Sequence, residues 1–203
     1  MKSLRLPKRH FSVDSTGETQ KIKVREFVAR QMGENPRILD AFCGTGHLHK
    51  IAWNSTENYV GLDKKPFDDN RKTFVCNNEK WVKENDLTSF DIFDIDAYGE
   101  PFAVLWNICN QKLAKDKLGI VLTDGMARST QSSTRRVDVL KTMGLCPHLR
   151  SGLQWRERRG FFFKMLLACA EKAGYKPLKY LLFERKNKSH MIYFGTVWEK
   201  ISN

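Results

Sequence analysis

Two short stretches and one longer one in this 203-residue sequence carry residue types and spacings that could do chemistry. The first is Asp40-Ala41-Phe42-Cys43-Gly44-Thr45-Gly46, an apolar strand running into a glycine turn. Such a turn lets a nucleotide-like ligand approach the backbone closely. A dinucleotide fingerprint needs a third glycine where His49 stands, and a phosphate-binding P-loop needs Gly-Lys-Ser/Thr, which is absent. The acid at Asp40, four residues ahead of Gly44, would repel a pyrophosphate and welcome an ammonium group. The second stretch is Asp94-Ile95-Asp96-Ala97-Tyr98-Gly99-Glu100-Pro101 after the apolar Phe90–Asp96 run. Strand periodicity points Asp94 and Asp96 to one face, with Asp96 at the carboxyl end where doubly wound sheets bind substrate. The third, residues 128–159, carries Arg128, Arg135, Arg136, Arg150, Arg156, Arg158 and Arg159 around Trp155. Guanidinium groups suit phosphates and a tryptophan suits an unstacked base, so Arg128, Arg135, Arg136 and Trp155 are candidate nucleic-acid contacts.

Other tempting residues read more plainly. His47 and His49 lack further ligands at zinc spacing, so they are expected to be packed or surface side chains, and no metal site is expected. Cys43, Cys76, Cys109, Cys146 and Cys169 are odd in number, with no Cys-x-x-Cys pair, and read as reduced thiols of a cytoplasmic protein.

The elements that must position these groups alternate along the chain. Apolar periodicity predicts a helix over Gln20–Met32, ended by Gly33 and Pro36, then a strand over Arg37–Phe42 and a helix opening at Leu48–Trp53. Strands follow over Asn58–Asp63, Lys72–Cys76, Phe90–Asp96 and Leu118–Thr123, with a helix through Ala103–Leu113. A Phe-rich helix over Arg159–Ala173, closed by Gly174, precedes YLLFERKNKSHMIYFGTVW, which reads as two strands and a basic turn. This order implies an α/β, Rossmann-like, doubly wound sheet, mostly parallel, with an antiparallel C-terminal hairpin. With 41% hydrophobic residues the chain can bury one sizeable core, so residues 1–203 read as a single domain with 128–159 a basic insertion.

The formal charge of +12 points to a polyanionic partner or an anionic surface. It is unevenly placed: nine cations against four acids over residues 1–39, ten against fourteen over 40–127, and sixteen against five from 128 onward. An acidic centre between basic flanks suits a cationic or polar ligand bordered by surfaces that track a phosphate backbone. No apolar run reaches the roughly 20 residues a membrane span needs, and the N-terminus lacks a signal-peptide pattern.

With its acid, three residues and Gly-x-Gly, the turn resembles the first motif of the Rossmann-like S-adenosylmethionine-dependent methyltransferases. Asp63, ending its strand 23 residues after Asp40, matches the family's acid for the two ribose hydroxyls. The resemblance implies S-adenosyl-L-methionine (SAM) as cofactor, with Asp40, Phe42, Gly44, Gly46, Asp63, Asn77 and Asn78 around it. The asparagines stand where the family's usual acid is missing. The second stretch is similar to the tRNA guanine dimethyltransferase motif, Asp-x-Asp-Pro-Phe/Tyr-Gly-Ser-Pro, with Ala97 for its first proline and Glu100 for its serine. In that resemblance Asp96 accepts a hydrogen bond from an exocyclic amine and Tyr98 stacks on the base.

The expected activity is methyl transfer to an exocyclic amine of a nucleic-acid base, RNA favoured over DNA. Substrate is read through the 128–159 segment or with a partner protein or second copy. Two rivals stand beside it: a methyltransferase of a protein or small molecule, and a non-catalytic nucleic-acid-binding protein that keeps the fold. Covalent catalysis on cytosine would need a Pro-Cys nucleophile at the strand end, and the chain has none.

Overall fold

The computed structural model describes residues 17–67, 69–97, 99–125, 137–145, 158–185 and 191–202. In chain order the elements are α1 (Glu18–Met32), β1 (Ile38–Asp40), a π-helical turn (His49–Trp53), β2 (Tyr59–Asp63), β3 (Thr73–Val75), α2 (Asn78–Glu84), β4 (Ile92–Ile95), α3 (Phe102–Cys109) and β5 (Lys117–Asp124). A short helix at residues 137–142 (α4), α5 (Arg158–Ala173), β6 (Tyr175–Arg185) and β7 (Met191–Lys200) complete them. Among the described residues the strands form one seven-stranded sheet in the order β3-β2-β1-β4-β5-β7-β6. β3, β2, β1, β4 and β5 run parallel, while β7 is antiparallel to β5 and to β6. This is the α/β architecture with a terminal hairpin that the pattern of elements implies.

Alternation along each strand divides the core between the two faces of the sheet. Leu39, Phe93, Ile120, Leu122 and Phe194 join α2, α3, α4 and α5 in the larger cluster. Their neighbours Ile38, Ile92, Val121 and Tyr193 face Val24 and Val28 of α1 together with Trp53. The same period of two places Asp40, Asp94 and Asp96 on the α1 face, two and four residues on from Ile38 and Ile92. α1 lies close on the sheet because two strand positions lack side chains. A Cβ on Gly119 would fall 2.4 Å from Val28 Cγ1, and one on Gly195 would fall 2.6 Å from the Val24 carbonyl.

Three details depart from the pattern read in the sequence. α2 was not anticipated; it starts where Asn77 caps it, accepting from the Lys80 amide at 3.1 Å. β6 begins at Tyr175 and runs through Pro177, tolerated because β6 is an edge strand with an irregularity between Pro177 and Lys179. The middle of the basic 128–159 segment is apolar: Val139, Leu140 and Met143 of residues 137–145 belong to the larger core cluster. Cys43, Cys76, Cys109 and Cys169 are free thiols. Among the described residues no helix is long and apolar enough to cross a membrane.

Candidate cofactor and transfer site

The strand order reverses direction between β1 and β4, and in open α/β sheets ligands gather at the carboxyl ends of the strands beside such a reversal. Asp40 and Asp94 are register partners there, and the Ala41 amide donates to the Asp94 carbonyl at 2.8 Å. Asp40 is buried beneath the glycine turn. Its carboxylate accepts from the Phe42 amide at 3.1 Å and from the Tyr59 hydroxyl at 2.7 Å. Burial, with the neighbouring Asp94, pushes its pKa up to about 7 against the pull of Tyr59 and Arg25. Phe42 is half-buried against the larger core.

Gly44 and Gly46 sit at φ 47° and 79°, left-handed backbone that glycine adopts without strain. The Gly44 amide donates to Asp63 Oδ2 at 3.1 Å, and the Lys65 amide to Asp63 Oδ1 at 3.0 Å. Asp63 thus stands at the end of β2 directly against the turn. Asn77 is exposed and engaged as the α2 cap. Asn78 is buried; its amide nitrogen donates to the Ala41 carbonyl, and its oxygen has no hydrogen-bond partner among the described residues.

On the β4 side the acids are held by α1. Arg25, 1% exposed, forks onto Asp94 through Nε–Oδ2 at 2.6 Å and Nη2–Oδ1 at 2.8 Å, and the Trp53 indole donates to the same carboxylate at 2.7 Å. Lys21, one helical turn before Arg25, donates to Asp96 Oδ2 at 2.9 Å, with Arg25 Nη2 at 3.5 Å from the same oxygen. Burial would raise Asp96, but Lys21 and Arg25 outweigh it and hold the carboxyl below its usual range. Asp94 moves the other way, raised by burial despite Arg25. Asp96 is 10% exposed at its side chain, and Oδ1 is buried beside the Thr123 hydroxyl without a well-formed hydrogen bond among the described residues.

After Asp96 the chain turns into α3. Glu100, where the similar motif has serine, caps that helix by accepting from the Phe102 amide at 2.9 Å and the Ala103 amide at 2.8 Å. Ala97, in place of proline, is buried. Tyr98, Arg128, Arg135, Arg136 and Trp155 lie outside the described residues. His47 Nε2 lies 3.1 Å from Glu18 Oε1 while His49 rests edge-on against Tyr59 with ring centroids 4.3 Å apart, so the two histidines face different neighbours.

Sequence reasoning missed Lys21, Arg25, Trp53, Tyr59 and Arg71. A signal existed for the first two: cations one turn apart on the same helix as the buried Val24 and Val28, where a charge survives only if paired.

No protein-family model and no curated protein matches the chain. Solved structures do. TYW2 from M. jannaschii in complex with AdoMet matches with a TM-score of 0.54 at 16% identity, over 90% of this chain and 77% of that one. NodS, an N-methyltransferase from Bradyrhizobium japonicum, matches with 0.57 at 11% identity over 94% of this chain and 100% of that one. Trm1 from Pyrococcus horikoshii with S-adenosyl-L-methionine matches with 0.56 at 16% identity over 90% of this chain, which spans only 54% of that protein. The chain has the Rossmann-like fold of the class I SAM-dependent methyltransferases.

Proposed function

We propose that this single-domain chain binds SAM and transfers its methyl group to a neutral exocyclic amine of a nucleic-acid base, RNA before DNA. The observation that carries the reading is Asp96, a nine-tenths-buried carboxylate at the end of β4 whose one oxygen is committed to Lys21 and whose other, beside the Thr123 hydroxyl, makes no well-formed hydrogen bond among the described residues. An amine N–H is the group such an oxygen lacks.

The residues present suit the cofactor. Asp63 borders the turn and offers carboxylate oxygens to a ribose, and Asn78 carries an orphaned buried acceptor for an adenine amine. Gly44 and Gly46 add no side chains to the turn on either side of Thr45, and Phe42 gives an apolar flank. The acids Asp40, Asp63, Asp94 and Asp96 outnumber the cations Lys21 and Arg25 that pair with them, which favours a ligand of net positive charge. The chemistry that bound SAM supplies is a methyl group on a sulfonium, open to in-line attack. The protein's part is to bring amine and methyl together and to stabilise the charge that grows on nitrogen. Asp96, kept ionised by Lys21 and Arg25, accepts from the amine and faces that growing charge. The same cations make it a poor base, so the proton of the methylated nitrogen leaves to water. Tyr98 would hold the base plane, and Arg128, Arg135, Arg136 and Trp155 would hold the strand.

Neighbouring folds act on small molecules too, such as the 1,6-didemethyltoxoflavin-N1-methyltransferase of Burkholderia thailandensis, with a TM-score of 0.55, 13% identity and coverage of 92% of this chain and 80% of that one. Incubation with labelled SAM and separate RNA, DNA and protein pools distinguishes the substrates. Label in RNA that falls about a hundredfold in Asp96→Asn while SAM binding persists supports the reading. Label in protein alone, or none in any pool, overturns it.

A further inference from the structure

The connection between β2 and β3 covers residues 64–72, and its described residues form no helix. Helices would ordinarily cover a parallel sheet on this face and brace its turns. Here one side chain stands behind the glycine turn. Arg71 lies between exposed Asn70 and Lys72, yet its own side chain is only 6% exposed. Its Nη1 donates to the Cys43 carbonyl at 3.1 Å and its Nη2 to the Gly44 carbonyl at 2.8 Å. Asp69 fixes the other edge of the guanidinium, accepting from Nε at 2.9 Å and from Nη2 at 2.6 Å. The Tyr59 hydroxyl, which donates to Asp40, lies 3.5 Å from Nη1.

The turn and the guanidinium fit each other closely. A Cβ on Gly46 would meet Arg71 Cζ and Nε at 2.7 Å, so any side chain there displaces the arginine. Gly44 is gripped from both sides, its carbonyl by Arg71 and its amide by Asp63. Two left-handed glycines would otherwise leave this turn many conformations, and each one lost on ligand binding weakens affinity. A planar fork bridging two successive carbonyls removes that freedom beforehand, which a lysine's point charge cannot do.

We propose that Arg71 is a positioning residue for the cofactor. It pre-sets the glycine turn against Asp63 in place of a crossover helix. The inference rests on the SAM reading above and assigns Arg71 no contact with the cofactor. A hollow of about 680 Å³ lined by His49, Lys50, Tyr59, Asp69, Arg71 and Lys72 opens beside the guanidinium. It makes the role testable by chemical rescue.

Calorimetric titration of SAM into the full chain, Arg71→Ala, Arg71→Lys and Asp69→Asn reads the effect without any substrate. Arg71→Ala should bind about tenfold more weakly or worse, and Arg71→Lys nearly as weakly, since the fork is lost. Asp69→Asn, which keeps the guanidinium but loosens it, should lose a few-fold and serves if Arg71→Ala fails to fold. Millimolar methylguanidinium should restore much of the affinity of Arg71→Ala and leave the wild type unchanged. SAM affinity of Arg71→Ala within twofold of wild type overturns the proposal. So does a loss that methylguanidinium does not reverse and that follows a fall in unfolding temperature, since Arg71 would then be only a brace for the fold. A wild type that does not bind SAM overturns the cofactor reading and this inference with it.

Discussion

The two flanks of β1 solve one problem by different means. Each must hold a strand-end carboxylate beside the glycine turn. On the β4 side a helix lies over the acids: Arg25 and Trp53 close on Asp94, and Lys21 on Asp96, largely out of water. On the β2 side the turn is held by Arg71 and by its own amide on Asp63, in a connection of mostly exposed residues. A buried charge is costly to unpair, whereas hydrogen bonds from a loop are more easily remade. The β4 flank should therefore matter most to folding, and the β2 flank to binding.

The strongest challenge to this contrast is Arg25→Met, which leaves Asp94 buried without its cation. It should cost about 3–5 kcal/mol in urea unfolding, and the double variant Arg25→Met with Asp94→Leu should recover much of that. A single-variant loss no larger than that of Arg71→Ala would erase the distinction. Asp96→Asn keeps size and one acceptor but removes the charge. Methyl transfer should fall about a hundredfold, equivalent to about 2.7 kcal/mol, with SAM affinity little changed. A parallel loss of SAM binding would place Asp96 with the cofactor and not the amine. The seat of α1 is tested by Gly119→Ala, whose methyl collides with Val28. About 1–3 kcal/mol of destabilisation is expected, and none would mean the helix is free to lift.

The smallest effect concerns pH. Asp40, raised to about 7 by burial, adds stability that is complete below its unfolded value near 3.8 and is lost as pH rises through about 7. Asp69, lowered chiefly by its bond to Arg71, has the opposite slope: its contribution is present above the unfolded value and is lost as pH falls through the depressed one. Unfolding midpoints between pH 3 and 8 should lose the upper slope in Asp40→Asn and the lower one in Asp69→Asn. Unchanged profiles would show that neither acid is bound as described.

The legible part of this molecule is the part written in local periodicity. Alternating apolar residues around Ile38, Ile92 and Val121, and the glycine turn after Asp40, mark the strands and their ends, and with them the places of Asp40, Asp63 and Asp96. α2 was hidden because Asn77 and Asn78 also suit a turn, and its seven residues give too little period to see. The Lys21, Arg25 and Arg71 contacts were hidden for another reason. Lys21 meets Asp96 across 75 residues, and Arg71 meets Gly44 across 27. The helix neighbours of Lys21 and Arg25 show that these cations need partners, but nothing local says which distant group each of the three will meet.

The far margin of the sheet carries a consequence of its own. β6 is eleven residues long, and an open strand of that length invites a passing chain to add itself by backbone pairing. Pro177 removes one donor, and the shift between Pro177 and Lys179 breaks the ladder. Lys176 and Lys179 add charge close by. The sheet thus ends in a strand poorly suited to templating another, a safeguard against aggregation while newly made copies are still crowded and incompletely folded.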